Sequence, residues 1–214
     1  MTDLPVNARH ASPAARPAPV VWWLVLPFAA ELTLAAAVLA LWGADDSGLH
    51  AALLATARLA FLLFLPAYSG GALVTLFGPS FDRLRHVGRE FGLAFAAALA
   101  VHLALVAWIC ALGDIPPIRT FVVFGIAALC VYGLALLSLA RLQHWLGPHV
   151  WAVLRFLTMN YIACAFADDF LRIAPRFAFD YLLVYLPFAL LAIAGPALYF
   201  IAFIKRWAPR ISFR

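Results

Sequence analysis

Residues 91–109 read Phe91-Gly-Leu-Ala-Phe-Ala-Ala-Ala-Leu-Ala-Val-His102-Leu-Ala-Leu-Val-Ala-Trp108-Ile109. One imidazole interrupts an otherwise apolar, uncharged run. A helix needs about 20 such residues to cross the hydrocarbon core of a bilayer. The rest of the chain repeats the pattern. Of 214 residues, 66% are hydrophobic and 12% charged, whereas soluble domains run near half and a quarter. A fold of this size cannot hide that much apolar surface from water. The chain therefore reads as an all-α integral membrane protein.

Working outward from the central run, six spans can be drawn. They cover about Val20–Trp42, Ala52–Phe77, Phe91–Leu112, Thr120–Leu142, Val150–Ala167 and Tyr181–Ile204. Turn chemistry separates them: Gly43 to Gly48, Gly78-Pro79-Ser80, Gly113 to Pro117, Gly147-Pro148 and Pro175. The short connections predict a bundle in which successive helices are antiparallel neighbours. The chain carries no internal repeat and no separate soluble domain. Residues 1–19, rich in Ala and Pro, read as a disordered tail ahead of a 20–204 transmembrane domain. Residues 205–214 read as a basic tail.

Charge orients the bundle. With the N-terminus in the cytoplasm, the inner segments hold Arg9, Arg16, Arg83, Arg85, Arg89, Arg141, Lys205, Arg206, Arg210 and Arg214. The outer segments hold Arg119, Arg172 and Arg176. Ten against three favours both termini inside. Trp22, Trp23, Trp145, Trp151 and Trp207 mark the inner interface, and Trp42 and Trp108 the outer one. The net charge of +5 is thus a topology signal, not one for nucleic acid. Cys110, Cys130 and Cys164 lie in apolar runs without paired spacing and read as small hydrophobes. His86, His144 and His149 fall in inner loops beside basic residues.

Ionisable groups inside spans are the functional candidates. Glu31 sits in the first span, four residues after Pro27. Arg58 sits in the second, His102 in the third, and Arg155 about five residues into the fifth. A Glu31–Arg58 pair is expected either to fix helix packing or to serve a proton or electron path. The third span also carries a ridge of small residues: Gly88, Gly92, Ala96 and Ala100. Such a ridge admits a neighbouring helix or a flat cofactor beside His102.

Three stretches resemble one family. They are Arg89-x-x-Gly92-Leu93 followed by His102, Leu134-Ala135-Leu136-x-Ser138, and Leu146-Gly147 followed by Trp151-x-x-Leu154. Over about residues 50–170 the series is similar to the ferric-reductase-like transmembrane domain. It is most like the haem-binding membrane subunit of the bacterial methionine sulfoxide reductase system. The resemblance implies b-type haem between the third and fifth spans. It also implies electrons passing from a cytoplasmic flavin reductase to a periplasmic acceptor. His102 matches the third-span ligand. The family's two fifth-span histidines are replaced here by Arg155 and Asp168.

Arginine stays protonated and cannot ligate iron. Met159 is the soft ligand of the fifth span expected at roughly the depth of His102. Three outcomes follow: a His102–Met159 haem flanked by Gly92, a five-coordinate haem on His102, or a haem-free descendant. The last would act as a scaffold or bind a partner, quinone or lipid. A different class, a small proton-coupled transporter, would use Glu31, Arg58 and His102 as a relay. No Gly-rich nucleotide fingerprint follows a strand, so the chain is at most the membrane subunit of an oxidoreductase.

Overall fold

The computed structural model describes residues 19–140, 142, 145–172 and 179–207, with the side chains of 172, 179–184 and 207 left undescribed. The expectations for the 1–18 tail, Arg141, His144, Pro175, Arg176, Arg210 and Arg214 fall outside these residues. So do those for the side chains of Arg172 and Trp207.

Long apolar runs with internal backbone hydrogen bonding become helices, because a bilayer leaves no other partner for N–H and C=O groups. The elements are α1 (Val20–Trp42), α2 (Asp46–Phe77), α3 (Asp82–His86), α4 (Gly88–Ala111), α5 (Ile118–Leu139), α6 (Gly147–Arg172) and α7 (Phe179–Trp207). Six of them, all except α3, contain a stretch long and apolar enough to cross a membrane. The six-span all-α reading therefore holds. Gly43 and Gly78, at φ 91° and 87°, end α1 and α2 in a backbone region that other residues avoid.

Two helices depart most from the sequence reading. The second helix begins at Asp46 rather than near Ala52. Asp45 caps it, its Oδ1 accepting from Gly48 N at 3.0 Å and from Ser47 Oγ at 2.8 Å. Those two donors hold the Asp45 carboxyl below the usual carboxylate range. The stretch from Gly43 to Gly48, read as one break, is a short turn followed by a helix start. The fifth span is the second difference. It runs Gly147–Arg172, longer at both ends than the Val150–Ala167 stretch read from sequence.

Contacts between helix ends show that the six long helices alternate in direction. The Trp23 and Phe91 rings, 5.4 Å apart, join the start of α1 to the start of α4. Lys205 donates to Thr75 O at 3.0 Å, joining the end of α7 to the end of α2. Arg89 donates to Ser138, joining the start of α4 to the end of α5. At the opposite end, His50 lies 3.4 Å from Asp114, and Arg119 lies 3.6 Å from Asp168. The first end carries Arg83, Arg85, Arg89, Lys205 and Arg206, and is called the basic end below.

The core is built around α2. Phe61 and Phe64 are about 1% exposed. Phe61 meets Phe166 at 5.0 Å and Phe170 at 5.1 Å, while Phe64 meets Phe95 at 5.4 Å. This aromatic cluster ties α2 to α4, α6 and α7. A second cluster, with Ala35, Leu49, Ala52, Val101 and Leu105, closes α1 onto α2 and α4. The faces left outside are apolar and suited to lipid. Leu129 and Leu136 of α5 are examples.

Candidate functional site

Near the basic end the bundle does not close. A cleft of about 380 Å³ opens between α2, α3, α4, α6 and α7. A smaller one of about 200 Å³ lies between α2, α4, α5 and α6. The two share Ala67, Gly88, Trp151, Arg155 and Met159 on their walls, so they form one site with two compartments.

Local sequence makes this space. Gly88 and Gly92, one turn apart, present backbone where a side chain would project. A Cβ added at Gly92 meets nothing within 4 Å. On α2, Gly70 lets α3 approach: a Cβ there would stand 3.2 Å from Leu84 O. That contact sets α3 across the end of α2 and shapes the larger compartment. Tyr68, stacked on Tyr199 at 5.2 Å, forms another wall. Its hydroxyl donates to Asn160 Oδ1 at 2.9 Å, which pins α6 to α2.

The electrostatics are one-sided. Arg85, Arg155 and Arg206 line the larger compartment and Arg89 the smaller, with no carboxylate on either wall among the described residues. Three of these arginines are engaged. Arg85 pairs with Asp82 at 3.1 Å. Arg206 Nη2 donates to Thr75 Oγ1 at 2.6 Å. Arg89 donates from Nε to Ser138 Oγ and from Nη2 to Ser138 O, both at 2.9 Å. Among the described residues, Arg155 makes no side-chain hydrogen bond or ion pair.

The residues singled out from the sequence fall into three places. Gly92, Met159 and Arg155 come together in the cleft. His102 is not on its walls; instead, its Nδ1 lies 2.9 Å from Thr56 Oγ1. Met159 and His102 therefore stand at different depths. His102 is level with Thr56, whereas Asn160, next to Met159, is level with Tyr68. Twelve residues of helix separate Thr56 from Tyr68, about 18 Å. Axial ligands of one iron must approach within a few ångström, so this pair does not fit one haem. Among the described residues no group of three His, Cys, Asp or Glu side chains is placed to hold a metal ion.

Glu31 and Arg58 do not meet either. Glu31 is fully buried, and among the described residues neither carboxyl oxygen has a hydrogen-bond partner. It sits one turn before Ala35, on the face of α1 that packs against α2 and α4. Its depth follows from the Trp23–Phe91 contact. Eight residues beyond each ring are Glu31 and Leu99, so Glu31 lies three residues, about 4.5 Å, short of His102. Arg58 faces the other way. Its guanidinium carbon is 4.8 Å from the Tyr185 ring and 5.2 Å from the Phe188 ring of α7. The reason is angular: two residues past Thr56 is about 200° around a helix of 3.6 residues per turn. Asp168 pairs with Arg119 at the end opposite the cleft.

Sequence reading missed Tyr68, Asn160, Thr56 and Gly70. Ser69-Gly70-Gly71 was a readable signal for close approach. Thr56 gave none, because a helical threonine bonding the carbonyl four residues back is common.

The fold and cleft define a class: a polytopic membrane bundle with a basic, apolar-backed recess. For the particular chain, no protein-family model, curated protein or solved structure matches.

Proposed function

We propose that this protein binds an amphiphile taken from the bilayer, and that it acts as a membrane-embedded binding component rather than a complete enzyme. The observation that carries this reading is the two-compartment cleft. Apolar and aromatic walls join a cationic opening within one recess, which is the arrangement that orients a molecule with a polar head. By the positive-inside rule the basic end faces the cytoplasm of a bacterial inner membrane. The recess lies between the third and fifth spans, where the ferric-reductase-like resemblance would set a haem. Arg155 occupies the position of one absent histidine there, and this chain's own residues favour a polar-headed guest over an iron centre.

Native mass spectrometry of the detergent-purified protein tests the proposal. The wild type should retain one co-purifying amphiphile. Gly92→Leu should lose it while folding normally, because the new side chain enters open space. A bare wild type, or retention unaffected by Gly92→Leu, would overturn the proposal. A visible spectrum with a Soret band would instead favour the electron-transfer reading.

A further inference from the structure

The cleft also narrows the chemistry of the guest. Resting on the amphiphile reading, we infer that the ligand is an anionic phospholipid. Its phosphate sits on Arg155 and one acyl chain enters the smaller compartment.

Arg155 is the residue that asks for an anion. It belongs to a membrane-spanning helix, where a cation without a partner is costly. Its guanidinium offers donors in a fork matched to phosphate oxygens. Neighbouring Arg85 is offset by Asp82, whereas Arg206, held on the neutral Thr75, adds positive field while Arg155 keeps its donors. No carboxylate on the walls competes for it among the described residues. The site therefore selects negative over zwitterionic heads, since a choline would bring a second cation among arginines.

The smaller compartment argues for a lipid over free phosphate. Phe64, Phe95, Val131 and Ile162 line it, and none of them helps an inorganic ion. At about 200 Å³ it is smaller than the usual small-molecule pocket of about 300–1,000 Å³. It holds part of a molecule whose remainder stays in the bilayer. Arg89, fixed on Ser138, closes the α4–α5 side of this compartment. The chain therefore enters past Arg155 and Met159, which lie on the wall shared by the two compartments.

The test uses full-length protein stripped of lipid by detergent exchange. Short-chain phosphatidylglycerol, phosphatidylcholine and inorganic phosphate are titrated separately. Phosphatidylglycerol should bind at least tenfold more tightly than phosphatidylcholine. Arg155→Gln should erase that preference, weakening phosphatidylglycerol about tenfold and leaving phosphatidylcholine unchanged. Its melting temperature should match the wild type, because the Arg155 side chain makes no hydrogen bond or ion pair among the described residues. Equal binding of both lipids, each lost in Gly92→Leu, would overturn the head-group inference and leave the amphiphile reading standing. No lipid binding at all would overturn both. Inorganic phosphate competing at millimolar concentration would reassign the site to a free anion. An Arg155→Gln chain that fails to fold would contradict the unpartnered state on which the inference rests.

Discussion

The two halves of the bundle solve the same packing problem differently. Where α1, α2 and α4 meet, alanines and branched aliphatic side chains close the seam, and Ala52 and Leu49 are fully buried. Polar groups there face inward: Thr56 meets His102, and Glu31 is sealed without a hydrogen-bond partner among the described residues. Where α4, α5, α6 and α7 surround the basic end of α2, glycines leave the recess open and arginines line it. The lesson is that an ionisable residue inside a span does not mark the site by itself. His102, the most conspicuous such residue in the sequence, is held in the closed seam. Arg155, one more ionisable group within a span, stands in the open recess.

Substitutions sharpen the contrast. The largest effect is expected at the centre that both halves share. Phe61→Ala removes a ring packed on Phe166 and Phe170 and should cost about 3–5 kcal/mol, read as a large fall in melting temperature. Next is the closed seam. Thr56→Val strips the partner from His102 Nδ1 and should cost about 1–3 kcal/mol. Thermal unfolding in detergent measures it, and an unchanged midpoint would break the claim that the contact matters. Glu31→Met runs in the opposite direction. It replaces a buried carboxyl that has no hydrogen-bond partner among the described residues with a flexible apolar chain, and should raise the melting temperature by a similar or smaller amount. A fall would show that Glu31 has work in the seam. At the recess, Gly92→Leu and Arg155→Gln should leave the midpoint nearly in place and act on binding alone.

Much of the fold was legible because the bilayer enforces it. Runs such as 91–109 and 120–139 have one way to satisfy their backbone, and glycines at 43 and 78 stop helices wherever they fall. The start of α2 was misplaced because Asp45 and Gly48 look like loop residues until a cap is recognised. The recess was half legible. Gly88 and Gly92 announced a slot on α4, and Met159 and Arg155 were singled out on α6. Its location along the bundle was not legible. Depth depends on helix register, and register is fixed by pairs far apart in sequence, such as Tyr68 with Asn160. The same lack of register information made His102 and Met159 look level.

The central claim is that the recess, and not the outer surface, holds an amphiphile. Photo-crosslinking with a phospholipid carrying a diazirine on its acyl chain tests this directly. Adducts mapped by mass spectrometry should concentrate on Trp151 and Met159, on the shared wall, over Leu129 and Leu136 on the lipid-facing side of α5. Adducts confined to the outward-facing leucines would contradict the account.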